Sequence, residues 1–173
     1  MNFSRIELWN YSLRFYDDPE TEKALIDAQN RLGADVNLIL YLLFRAQGGL
    51  RLDLDDIKNA ENAVNSWRSG VIQPLREIRR NLKNYPHSLP KNDQAKIRRE
   101  IKDLEIKTEQ FQQQHLENLG LKGRSAAPND AAQDNLAAYA KILSAAVSDH
   151  AFTKLLHRFI TLQNAKPAPA SSH

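Results

Sequence analysis

The sequence predicts an all-α protein: a single helical domain of six or seven helices with a central apolar helix and a long antiparallel helical hairpin. Three observations carry this expectation. Apolar residues recur at helical spacing along most of the 173 residues, and no alternating apolar–polar stretch marks a strand. Glycines (6) and prolines (7) are few while 26% of residues are charged, a balance that suits helices better than turn-rich sheets. Ser or Asp precedes most of the apolar runs, where a helix start needs a side-chain acceptor.

Taken in order, Ser4 and Glu7 make an S-x-x-E capping box, so a first helix is expected from Arg5. Ile6, Trp9, Leu13 and Tyr16 follow as its apolar stripe. In YDDPE, Asp18 suits the N-cap and Pro19 the first helical position, where its missing N–H costs nothing. Leu25, Ala28 and Leu32 form the stripe of this second helix, and Gly33 is free to take the left-handed conformation that ends it.

GADVNLILYLLF, residues 33–44, is the most apolar stretch. Its uninterrupted run from Leu38 to Phe44 is far short of the roughly 20 residues that span a bilayer. A helix apolar on nearly all sides is a central one, so residues 36–47, capped by Asp35 and stopped by Gly48 and Gly49, are expected to be the hub of the core.

Asp53 opens a long helix running to about Lys83. Its stripe is Ile57, Val64, Val71 and Ile78, with Ala60, Trp67, Leu75 and Leu82 between them. Pro74 lies inside it. The ring presses on the carbonyl of residue 70, and Gly70 gives the backbone room, so a kink is expected near 70–74. NYPHSLPKN is a Pro-punctuated turn. A partner helix follows from about Asp93 with the stripe Ile97, Ile101, Leu104, Thr108, Phe111 and His115, and the two read as an antiparallel hairpin. After the loop GLKGRSAAPND, an Ala-rich helix is expected from Asp130 to Val147. Asp149 caps a last helix bearing Phe152, Leu155, Leu156, Phe159 and Ile160. Residues 1–164 are thus expected to form one domain, and 165–173, within AKPAPASSH, a disordered tail.

Composition removes several functions. Cys is absent, which excludes disulfides, thiolate zinc sites and thiol catalysis. The start MNFSRIELWNYSLRF lacks a basic segment followed by an unbroken apolar one, so no signal peptide is expected and a cytoplasmic protein is the default. Charge is uneven: residues 1–65 carry a net −4, residues 66–110 a net +5 and residues 111–173 a net +2. The basic middle third calls either for an anionic partner or for complementarity with the acidic first third.

Motifs for chemistry are scarce. There is no Glu-x-x-His pair, no His-x-x-x-His spacing and no Gly-rich phosphate loop, so neither a metal nor another cofactor is assigned. His150 and His157 share a face with no carboxylate between them, and His115 reads as a hydrogen-bonded boundary histidine. The acids of YDDPE and DLDD lie at helix starts, where they stabilise the dipole without any function.

Two features remain as candidates. Asn37, an amide inside the apolar helix, needs partners: it either fixes packing against a neighbouring helix end or lines a candidate core pocket with Trp9 and Trp67. Arg76, Arg80, Lys83, Arg98, Arg99 and Lys102 form a candidate anion or partner face within residues 76–102, although i,i+4 acids and a shortage of interleaved aromatics favour a solvated face or intramolecular pairing.

Trp9, GADVNLILYLLF, the Trp67-Arg68 pair, PLREIRRNLK and NLAAY, in this order, resemble a family of small helical proteobacterial proteins known only as a domain of unknown function. The resemblance spans roughly residues 6–145 and implies a bacterial cytosolic helical domain. It brings no activity, cofactor or catalytic residue with it. The leading expectation is a non-enzymatic helical protein-interaction domain whose partner is another protein or a second copy. The alternative is a nucleic-acid or anion-binding module using the basic face, and a helical enzyme with a site near Asn37 and Trp9 is the third.

Overall fold

The computed structural model describes residues 7–84, 90–146 and 148–165. The helices are α1 (Glu7–Tyr16), α2 (Pro19–Leu32), α3 (Val36–Gln47), α4 (Leu54–Trp67), α5 (Gln73–Asn84), α6 (Lys91–Asn118), α7 (Pro128–Ile142) and α8 (His150–Asn164). A π-helical segment, Arg68–Ile72, joins α4 to α5. Counting that interrupted rod as one gives seven helices among the described residues, within the expected six or seven. No described helix is long and apolar enough to cross a membrane.

α3 is the hub. Leu38 through Leu43 have no accessible surface, and α3 packs against α1, α2, α6 and α7. Asp35 holds its start, accepting from the Asn37 and Leu38 amides at 2.8 and 3.2 Å. Its end is pinned by Asn135 of α7, which donates to the Leu42 and Leu50 carbonyls and accepts from the Leu52 amide. The alanines Ala131, Ala132 and Ala140 let α7 approach closely. A two-residue antiparallel pairing, β1 (Leu50–Arg51) with β2 (Arg124–Ser125), closes the loop beside it. Strands this short leave no periodicity to read.

Most caps fall where expected. Asp18 accepts from the Thr21 amide and hydroxyl at 2.8 and 2.6 Å, Asp53 from the Asp55 and Asp56 amides, and Asp149 from the Ala151 amide. Gly33 ends α2 at φ 69°. The Ser4 cap, Ile6, part of the NYPHSLPKN turn, Val147 and the tail beyond Ala165 lie outside the described residues.

Three expectations need correction. α1 buries Leu8, Tyr11, Ser12 and Phe15, while Leu13 and Tyr16 of the expected stripe are exposed. Both sets have helical spacing, and tertiary packing selects between them. α7 stops at Ile142, where Ser144 adopts φ 54° and the Ala145 amide bonds the Ala140 carbonyl, so the Ala-rich run does not reach residue 147. The α4–α5 rod breaks before Pro74 by an inserted residue: the Gln73 amide donates to Arg68, five residues back. That extra residue rotates everything beyond it, and Ile72 rather than Val71 becomes buried.

Candidate functional site

The α5–α6 hairpin is inverted in character. Between the two helices lie charges. Glu105 is nearly buried and accepts from Arg76 Nε at 3.1 Å and Arg79 Nε at 2.5 Å. Arg76 also donates to Glu109 at 2.8 Å and to Gln29 of α2 at 2.6 Å. Burial acts to raise the Glu105 carboxyl, but the hydrogen bonds from Arg79 and Arg76 outweigh it and hold it below the usual range. Glu109 goes the other way: burial pushes it up to about 7, with Glu105 adding repulsion against the help of Arg76.

A raised carboxyl means the folded state holds a proton that the unfolded chain, with a pKa near 4.5, has released. Stability from this group is therefore present below about pH 4.5 and is lost as pH rises toward 7. Glu109→Gln is expected to flatten that fall. Urea unfolding of both proteins at stepped pH checks it, and parallel pH curves would refute it.

Outside, the hairpin is apolar. Ile78 (49%), Leu104 (47%), Ile97 (40%) and Trp67 (38%) are exposed, with Val71, Leu75, Leu82 and Ile101 partly so. At 100° per residue, both stripes sit about 80° to one side of the helix faces that meet, and the antiparallel run puts them on the same side. Arg80, which reaches Asn30 of α2 at 3.4 Å, marks the other side. The apolar strip ends in a cleft of about 430 Å³ lined by Ala63, Val64, Trp67, Phe111, Gln112 and His115. The Trp67 indole N–H donates to the Thr108 carbonyl at 3.0 Å, fixing the wall of this cleft.

Asn37 belongs to a buried polar chain. It donates to Gln112 at 3.3 Å and accepts from Gln113 at 2.8 Å, Gln112 donates to Asp35 at 2.5 Å, and the Ser12 hydroxyl donates to Gln113. Asp35 lies 3.4 Å from Arg68, which also pairs with Glu61 at 2.7 Å, and the Tyr139 hydroxyl donates to Glu61 and accepts from the Asp35 amide. Burial, then Glu61, pushes the Tyr139 hydroxyl above the usual tyrosine range, so it stays a donor. Two small clefts flank Asn37. One of about 80 Å³ includes Trp9, Ser12, Tyr16, Arg76 and Glu109, and one of about 60 Å³ includes Asp35, Arg68, Arg76 and Gln112. Trp9 and Asn37 are thus brought together, whereas Trp67 lines the larger apolar cleft.

The basic candidates separate. Arg76 is turned into the hairpin and bonded there, Arg98 is half-buried, and Arg80, Lys83, Arg99 and Lys102 are exposed. The acids Asp18, Asp53, Asp55 and Asp56 serve helix starts. Among the described residues one trio, Asp27, Asp149 and His150, has the spacing of metal ligands. Arg31 lies on both its carboxylates at 2.7–2.8 Å, and its hydrogen bond holds Asp149 down to about 2, so the trio works as an ion-paired joint between α2 and α8.

Sequence reasoning missed the inner charges of the hairpin because they interrupt no apolar pattern. The signal was available: Arg76 and Arg79 sit three apart opposite Glu105 and Glu109 four apart.

No curated protein and no solved structure matches the chain. A family model does match, over residues 7–116, from α1 through most of α6. That span holds the hub, the π segment, the inverted hairpin and most of the Asn37 chain, and it covers more than half of the sequence: the chain belongs to the family described as "Protein of unknown function (DUF2390)".

Proposed function

We propose that the chain is a non-enzymatic helical protein-interaction domain whose contact surface is the apolar side of the α5–α6 hairpin. One observation carries the reading: Arg76, Arg79 and Glu105 are enclosed while Ile78, Ile97 and Leu104 are exposed at 40–49%. A hairpin that only had to be stable would bury its aliphatic side chains and expose its charges. Large contiguous apolar patches on a helical surface mark contact sites. The polar groups near Asn37 support the same reading, since they bond one another instead of converging on a substrate-sized space.

The exposed Arg80, Lys83, Arg99 and Lys102 favour a second reading, the binding of nucleic acid or another polyanion. The two are separable in one experiment. Wild type, Ile78→Glu/Leu104→Glu and Arg80→Glu/Lys83→Glu/Lys102→Glu are used as bait in a cell lysate, with and without nuclease. Protein capture that survives nuclease and is lost only in the first variant is the expected result. Nuclease-sensitive capture lost only in the second would install the polyanion reading, and then log affinity should fall with log salt at about −0.9 per phosphate neutralised on duplex DNA. Equal capture by all three would sink both.

A further inference from the structure

We infer that Glu109 is a proton-operated gate: with its proton it keeps the small cleft beside α1 closed, and without it water enters between α1 and the hairpin. The charges enclosed around Arg76 support this. Asp35, Glu61, Glu105 and Glu109 lie together with Arg68, Arg76 and Arg79, each side chain only 3–24% exposed. Four carboxylates thus meet three guanidinium groups. An enclosed charge with no opposite is costly, and a proton kept on one carboxyl removes the excess.

Hydrogen bonds select which carboxyl keeps it. Glu105 accepts from Arg76 and Arg79. Asp35 accepts from the Asn37 and Leu38 amides and from Gln112, and Glu61 accepts from Arg68 and Tyr139. Glu109 has a single donor among the described residues, Arg76 at 2.8 Å. The groups facing it come from five helices. Arg76 of α5 attracts its charge, while Glu105 of its own helix and Asp35 at the start of α3 repel it. Tyr16 of α1 carries a hydroxyl that burial and then Glu109 push above the usual tyrosine range, so it stays neutral. From α2 come the neutral Gln29, which lines the cleft, and the exposed Glu22, which acts on Tyr16.

The cover of this carboxyl is α1. Trp9, Leu13 and Tyr16 line the cleft of about 80 Å³ that also holds Glu109 and Arg76. Leu8, Tyr11 and Phe15 keep another face of α1 in the core, so the helix stays in place and the movement falls to the side chains of Trp9 and Tyr16. An ionised Glu109 gains hydration when they part, and a neutral one gains little.

The test uses the full chain with Trp67→Phe, which leaves Trp9, in the wall of the cleft, as its one tryptophan. Acrylamide quenching of its fluorescence is followed from about pH 5.5 to about pH 8.5, with circular dichroism to confirm folding. Quenching is expected to rise with pH around a midpoint of about 7. Glu109→Gln in the same background should hold it at the low-pH level throughout, since the amide is neutral at every pH and nearly the same shape. All five histidines remain in that variant, so their titration does not account for the difference. Carboxyl carbon NMR of the wild type labelled at glutamate reads the proton directly and needs no substitution. One glutamate should titrate near 7, above the rest. Quenching that is flat with pH overturns the inference, as does a rise that persists in Glu109→Gln. Glutamates that all titrate in the ordinary carboxylate range overturn it as well.

Discussion

Leu40→Ala and Leu43→Ala are each expected to lower the unfolding free energy by roughly 2–5 kcal/mol. Both side chains have no accessible surface and lie on the helix that four others pack around. Shortening either removes three carbons from water-free contact and leaves a void that α1, α2, α6 and α7 cannot close together, since each is held by its own contacts. Transfer and cavity costs therefore add. Urea unfolding followed by circular dichroism measures it, with the slope of the transition checked for constancy. A cost below about 1 kcal/mol at both positions would mean that α3 is not the hub.

Glu105→Ala is expected to cost about 3–5 kcal/mol, because the penalty falls on the partners left behind. Its carboxylate is the acceptor for Arg79 and one of three acceptors, with Glu109 and Gln29, for Arg76. Without it, Arg79 keeps a half-buried guanidinium with no carboxylate opposite, and Arg76 is left with Glu109 and the neutral Gln29. Replacing Glu105, Arg76 and Arg79 by Leu, Met and Met, with Glu109→Gln because it pairs with Arg76, should cost much less, since no charge is then stranded. Comparing the single and quadruple variants by urea unfolding isolates the effect. A single-variant cost under 1 kcal/mol would equate this cluster with an exposed surface ion pair.

The hub was legible because an unbroken apolar run with an Asp cap before it and two glycines after it admits one placement. The caps at Asp18, Asp53 and Asp149 were legible for a similar reason: a short acceptor beside a helix start satisfies amides locally, whatever the tertiary structure. The face of α1 was not legible, since Leu8/Tyr11/Phe15 and Trp9/Leu13/Tyr16 have the same spacing and only packing against α3 and α6 chooses. The long stripe of α6 misled more deeply. Ile97, Leu104 and Phe111 have the periodicity of a buried face, yet the helix turns Glu105, Thr108, Gln112, Gln113 and Leu116 inward. Periodicity tells that a face is apolar and not what covers it. Of the candidate site, Asn37 was visible as an amide out of place, but Gln112, Gln113 and Arg68, which bond or border its chain, carry no such mark.

The π segment at Arg68–Ile72 acts as a phase offset between two halves of one rod. The half before it packs against α6 and α7; the half after it packs against α6. Removing one residue there would take out the extra residue and turn the distal half by about 100°, with Pro74 still denying one carbonyl its donor. Arg76 and Arg79 would swing away from Glu105, and the aliphatic row beginning at Leu75 would move off the solvent side. A single-residue deletion in this five-residue window thus re-aims the distal half of the rod.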